Sequence, residues 1–83
     1  MKNWSFTTDN INEYAEVTAR AIVRGAKPVQ VVAMVTSCPD AAYVNHKNAV
    51  AIGCKNGSLY VWADKIPEDC PMVDIQELRT ILS

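Results

Sequence analysis

The dipeptide Asn56-Gly57, set between two apolar runs, constrains this chain more than any other feature. A type I′ turn needs positive φ at both central positions, which asparagine and glycine tolerate best, and its twist matches that of two antiparallel strands. AVAIGCK and SLYVWAD are therefore read as a β-hairpin whose register the turn sets. With Lys55 opposite Ser58, Cys54 faces Leu59, Ile52 faces Val61 and Val50 faces Ala63, giving one apolar face that belongs against helices. The other face sets Gly53 opposite Tyr60 and Ala51 opposite Trp62, so two large rings lie across from two very small side chains.

Outside the hairpin the apolar period changes along the chain. Trp4 and Phe6 alternate with Asn3, Ser5 and Thr7, which predicts a short edge strand. From Ile11 the spacing becomes three and four, through Tyr14, Ala15, Thr18, Ala19, Ile22 and Val23, and predicts a helix over about residues 10 to 24. Asn10 with Glu13 suits its start, Asp9 and Glu16 add charge at the positive end of the dipole, and Arg20, Arg24 and Lys27 lie near the negative end. Gly25 offers a left-handed stop, with Pro28 beyond it.

The run Val29 to Thr36 is β-branched and apolar on both faces, as a central strand would be. Ser37 or Cys38 could cap a helix with Pro39 at its first position, but Asn45 and Asn48 limit it to about two turns, and a loop fits as well. At the far end Asp74 and Glu77 form a capping box, Val73 and Leu78 a hydrophobic staple, and Ile75, Leu78, Ile81 and Leu82 an apolar stripe. The order β-α-β-(short helix or loop)-β-β-α predicts one α+β domain over 1–83, with an antiparallel sheet of three or four strands and two helices on one face.

Charge and cysteine usage narrow the partners. Eight Lys and Arg against nine Asp and Glu give a net charge of −1, with no broad positive field to hold a phosphate backbone. The hairpin rings could stack bases, but only Lys47, Lys55 and Lys65 lie near them, which counts against nucleic acid. No apolar run approaches the roughly 18–20 residues of a membrane-spanning helix, and Met1 to Asp9 lack the order of a signal peptide. Three cysteines, an odd number, fit reduced thiols and a cytoplasmic protein.

The residues that could carry chemistry do not assemble into a motif. Cys38, His46, Cys54 and Cys70 would suit zinc by type, but structural sites bring ligands in close pairs and these are 8, 8 and 16 residues apart. Cys38 or Cys70 activated by His46, with Asp40 orienting the ring, would need an accident of folding. Asp74 and Glu77 are accounted for by a helix start, and Glu68-Asp69 lie in a polar loop between Pro67 and Pro71. The three glycines form no phosphate-binding loop. No catalytic residue, metal site or cofactor is assigned.

What remains is the second hairpin face. Tyr60 and Trp62, extended by Trp4 or Phe6 of the first strand, would make an aromatic surface with Lys55, Asp64 and Lys65 as its polar rim. If the first strand, residues 37–48 or the last helix folded over them, the rings would be core instead. The expected function is a non-enzymatic interaction module, a small inhibitor or adaptor of the kind phages and mobile elements encode, acting by occlusion or bridging. Its partner would be a larger protein, or a second copy in a homodimer. The competing expectation is a small enzyme or ligand-binding protein using Cys38, His46 and Cys70, assembled at an oligomer interface.

Overall fold

The computed structural model describes residues 1–29 and 51–83. They form β1 (Trp4–Phe6), α1 (Ile11–Val23), β2 (Lys27–Pro28), β3 (Ala51–Lys55), β4 (Ser58–Trp62) and α2 (Ile75–Ile81). The strand expected over 29–36, apart from Val29, and the helix or loop expected over 37–48 lie outside the described residues.

The hairpin forms in the expected register. Lys55 pairs with Ser58, Cys54 with Leu59, Gly53 with Tyr60, Ile52 with Val61 and Ala51 with Trp62. Asn56 and Gly57 take φ of 52° and 82°, the pair of positive values that a type I′ turn demands. The expected facing of Val50 and Ala63 involves a residue outside the described set.

The chain is α+β, as expected, but its sheet is mixed rather than antiparallel. The strand order is β1-β3-β4-β2, with β1 antiparallel to β3, β3 antiparallel to β4, and β2 parallel to β4. Topology supplies the reason. A helix connecting two strands of one sheet returns the chain so that the second strand runs parallel to the first. Here α1 carries the chain from β1 to β2. Because β1 and β4 both oppose β3, a β2 that runs with β1 also runs with β4.

The two helices of the described residues cover the same sheet face. Trp4 and Phe6 pair with Cys54 and Ile52, so these four side chains share a face with Leu59. Against them pack Tyr14, Val17 and Ala21 of α1, and Leu78 of α2 with the following Leu82, in one buried cluster. The helices are tied to each other by Glu16, whose carboxylate accepts from Arg79 Nε at 2.8 Å and Nη2 at 3.0 Å, and from Arg20 Nε at 3.0 Å.

Helix α1 is rotated from the expected stripe. Tyr14, Val17, Thr18 and Ala21 are buried, whereas Ala15 and Ala19 are exposed and Val23 is 83% exposed. The two stripes are adjacent on the helix, and the buried one places the bulkier Val17 over the sheet. The start differs too. Asn10 Oδ1 accepts from Asn12 N at 2.9 Å, while the Glu13 carboxylate takes the Thr8 hydroxyl at 3.4 Å, in place of the expected Asn10–Glu13 box. The stop follows expectation: Gly25 has φ of 101°, and bonds from Gly25 N to Ile22 O and Ala26 N to Ala21 O close a Schellman motif.

Helix α2 begins at the expected cap, with Asp74 Oδ1 accepting from Glu77 N at 2.8 Å, which is one half of the expected box. Of its stripe, Leu78 and Leu82 are buried and Ile75 packs against the core, but Ile81 is 36% exposed.

The sheet edges are handled differently on the two sides. Strand β1 is an edge strand, as expected, and Ser5, on the face opposite Trp4 and Phe6, is fully buried. Ser5 N donates to Pro71 O and Ser5 O accepts from Val73 N, both at 2.9 Å, and Ser5 Oγ donates to Cys70 O at 2.8 Å. Residues 70–73 thus close that edge. On the other side Lys27 N donates to Gly57 O and Val29 N to Leu59 O. Pro28 occupies the alternate position, where an N–H would point away from β4, so its missing donor costs the ladder nothing.

Candidate functional site

The aromatic pair stands on the sheet face turned away from the helices. Its position follows from the period of two in β4: Leu59 goes into the core, and Tyr60 and Trp62 go to the other side. The rings are 6.1 Å apart between centroids and inclined by only 16°. Both residues are half-buried, and neither belongs to the core cluster.

Gly53 gives the pair its footing. A Cβ built there would run into the far edge of the Trp62 ring on one side and the backbone carbonyl of Trp4 on the other. The indole edge therefore occupies the place of the missing side chain, and Trp62 is held against the sheet while part of it stays open to solvent.

The hairpin tip is braced by polar contacts. Asn56 N donates to Asn3 Oδ1 at 3.0 Å, Asn3 Nδ2 donates to Asp69 Oδ2 at 3.4 Å, and Lys55 Nζ lies 3.3 Å from Asp69 Oδ1. Lys55, Lys65, Pro67, Glu68 and Asp69 line an open depression beside the tip. Asp64 and Lys65 are exposed just beyond β4.

Trp4 departs from the expected surface. Its pairing with Cys54 puts it on the helix-covered face, 1% exposed, with Phe6 beside it at 3%. The alternation of β1 is compatible with either face; the register against β3 decides. Neither β1 nor α2 folds over Tyr60 and Trp62, since β1 lies beside β3 in the sheet and α2 packs on the opposite face. Residues 37–48 lie outside the described set.

Register also adds a residue that local sequence did not suggest. Lys27 pairs with Ser58 across β2 and β4, and Ser58 pairs with Lys55 across the hairpin. A row Lys27–Ser58–Lys55 thus crosses three strands on the same face as Tyr60 and Trp62. Nothing near Lys27 announces this, because it follows a helix stop and precedes a proline.

Two of the three cysteines are described, and both are buried free thiols. Cys70 Sγ donates to Cys54 O at 3.6 Å. Burial pushes both thiols above their ordinary pKa, and for Cys70 the neighbouring Asp69 carboxylate adds to the shift. A thiol held protonated is a poor nucleophile and a poor metal ligand. Among the described residues no three His, Cys, Asp or Glu side chains converge as a metal site would require. Cys38, Asp40 and His46 lie outside the described set.

Among the described residues no helix is long and apolar enough to cross a membrane. Comparison of the chain with protein-family models, with curated proteins and with solved structures gives no match to any of them.

Proposed function

We propose that this chain is a non-enzymatic docking module, a small inhibitor or adaptor that binds a larger protein through the Tyr60–Trp62 face of its sheet. The observation that carries this reading is the near-parallel pair of half-buried rings on the face opposite both helices, seated on Gly53 and separate from the core. Large aromatic side chains that are rigid, apolar and partly open are the residues most enriched where binding energy concentrates. Edge-to-edge strand pairing is the weaker route, since residues 70–73 bond to the outer edge of β1 and Pro28 offers no donor on the outer edge of β2.

The buried Cys54 and Cys70 take no part in docking. A cytoplasmic setting accords with the odd number of cysteines.

The test is affinity capture from the native host with tagged wild-type and Trp62→Ala proteins, matched for circular dichroism and melting. One larger protein retained in fixed ratio by the wild type and lost by the variant supports the proposal. Equal retention by a folded Trp62→Ala protein removes the aromatic face from the mechanism.

A further inference from the structure

The charges of this molecule are not spread evenly over its layers. Among the described residues the four strands contain two lysines, Lys27 and Lys55, and no carboxylate. The acidic residues near the helices, Asp9, Glu13, Glu16, Asp74 and Glu77, sit in α1, in α2 or at their starts. With Arg20, Arg24 and Arg79 beside these five carboxylates, the helical layer has only a small acidic excess, whereas the strands themselves carry positive charge alone.

The two strand lysines lie on the aromatic face. Paired residues on neighbouring strands share a face, so Lys27, Ser58 and Lys55 form one row, with Gly53 and Tyr60 in the next row of the hairpin and Ala51 and Trp62 in the row after that. Asp69 takes up part of the Lys55 charge at 3.3 Å and, with Asn3, holds the ammonium at the hairpin tip. Lys27 is exposed and has no ion-pair partner among the described residues.

From this juxtaposition we infer that the partner presents an acidic segment: one or more carboxylates that meet the Lys27–Ser58–Lys55 row, beside an apolar side chain that packs on Tyr60 and Trp62. The inference rests on the docking function proposed above and adds the chemistry of the partner. The row supplies two ammonium groups and a hydroxyl to carboxylate oxygens, and the rings supply the dry contact next to them. Charge complementarity of this kind fixes register and speeds encounter more than it adds affinity, and salt weakens it. A nucleic acid is the less suitable occupant, because its continuous phosphate backbone would run past the row onto Asp64, Glu68 and Asp69 at the rim, whereas an acidic segment of a few residues can end at the row.

The test is selection of a random-peptide display library on three immobilised proteins: wild type, Lys27→Glu with Lys55→Glu, and Trp62→Ala. Synthetic peptides recovered on the wild type are then titrated at low and high salt, alongside oligo(dT). Peptides recovered on the wild type are expected to be rich in Asp and Glu next to an apolar residue, to weaken about tenfold or more on the charge-reversed protein, and to weaken further in salt. Recovery of apolar peptides without acidic enrichment, or equal binding to the charge-reversed protein, overturns the acidic-partner inference but leaves aromatic docking standing if Trp62→Ala still abolishes binding. Peptides that bind Trp62→Ala as well as wild type overturn both. So does a failure of the wild type to enrich any peptide. Tighter binding of oligo(dT) than of any peptide replaces the acidic protein with nucleic acid.

Discussion

The ring of Trp62 occupies the space that a side chain at Gly53 would fill. A methyl group at that position would meet the indole edge and also the Trp4 carbonyl, which belongs to the backbone of β1 and cannot swing aside. Gly53→Ala is therefore expected to push Trp62 off the sheet and to strain the β1–β3 pairing. Overpacking of this type costs about 1–3 kcal/mol. Thermal melts and tryptophan emission check it: the melting temperature should fall and the emission move to the red as Trp62 meets water. An unchanged melt would show that the sheet yields there without strain.

The two tryptophans should respond to truncation in opposite ways. Trp4 is 1% exposed and packs in the core, so Trp4→Ala is expected to cost about 3–5 kcal/mol of stability. Trp62→Ala removes a half-buried ring from the opposite face and should leave cooperative unfolding intact, while weakening partner binding by about 2 kcal/mol or more. Denaturant titration and binding measured on the same two variants separate the roles. Comparable losses of stability would place Trp62 in the core.

Features coded locally were legible in the sequence, and features decided by a distant partner were not. Asn56-Gly57 carries its own turn conformation, so the hairpin register could be read residue by residue, and Gly25 and Asp74 mark helix ends by the same local logic. Ser5 alternates with Trp4 and Phe6 and so falls on the opposite face of β1, but it is buried there by a segment about 66 residues further on, which no alternation reports. Trp4 was expected beside Tyr60 for a related reason: its face depends on which residue of β3 it meets. The parallel pairing of β2 is set by the crossover through α1, and its two residues, a lysine and a proline, read only as the sequel to a helix stop. In the candidate site Tyr60 and Trp62 were legible from the hairpin, whereas Lys27 was not.

Thiol chemistry should be silent in the folded protein. With burial raising the pKa of Cys54 and Cys70, labelling of both by a thiol reagent at neutral pH is expected to be slow until denaturant is added. Measuring this in a Cys38→Ser background isolates the two. Changing all three cysteines to serine should preserve partner binding, and Cys54→Ser should cost stability because a hydroxyl is then buried where a thiol was. Fast labelling before unfolding, or loss of binding in a folded triple variant, would bring the thiols back into the function.

Acid should loosen the contact between the helices through Glu16. Its hydrogen bonds from Arg79 and then Arg20 hold the carboxyl at about 2, below the ordinary 4.5. Between those values the unfolded chain binds a proton that the folded chain does not, so the contribution of Glu16 is whole above pH 4.5 and is lost as the pH falls toward 2. The group is at the surface, so salt should reduce the effect. Melting temperatures of wild type and Glu16→Gln, followed from neutral pH into acid, should differ most above pH 4.5 and converge toward pH 2. A difference that stayed constant across that range would mean that the amide disturbs packing between α1 and α2, and that the carboxylate charge is not what joins them.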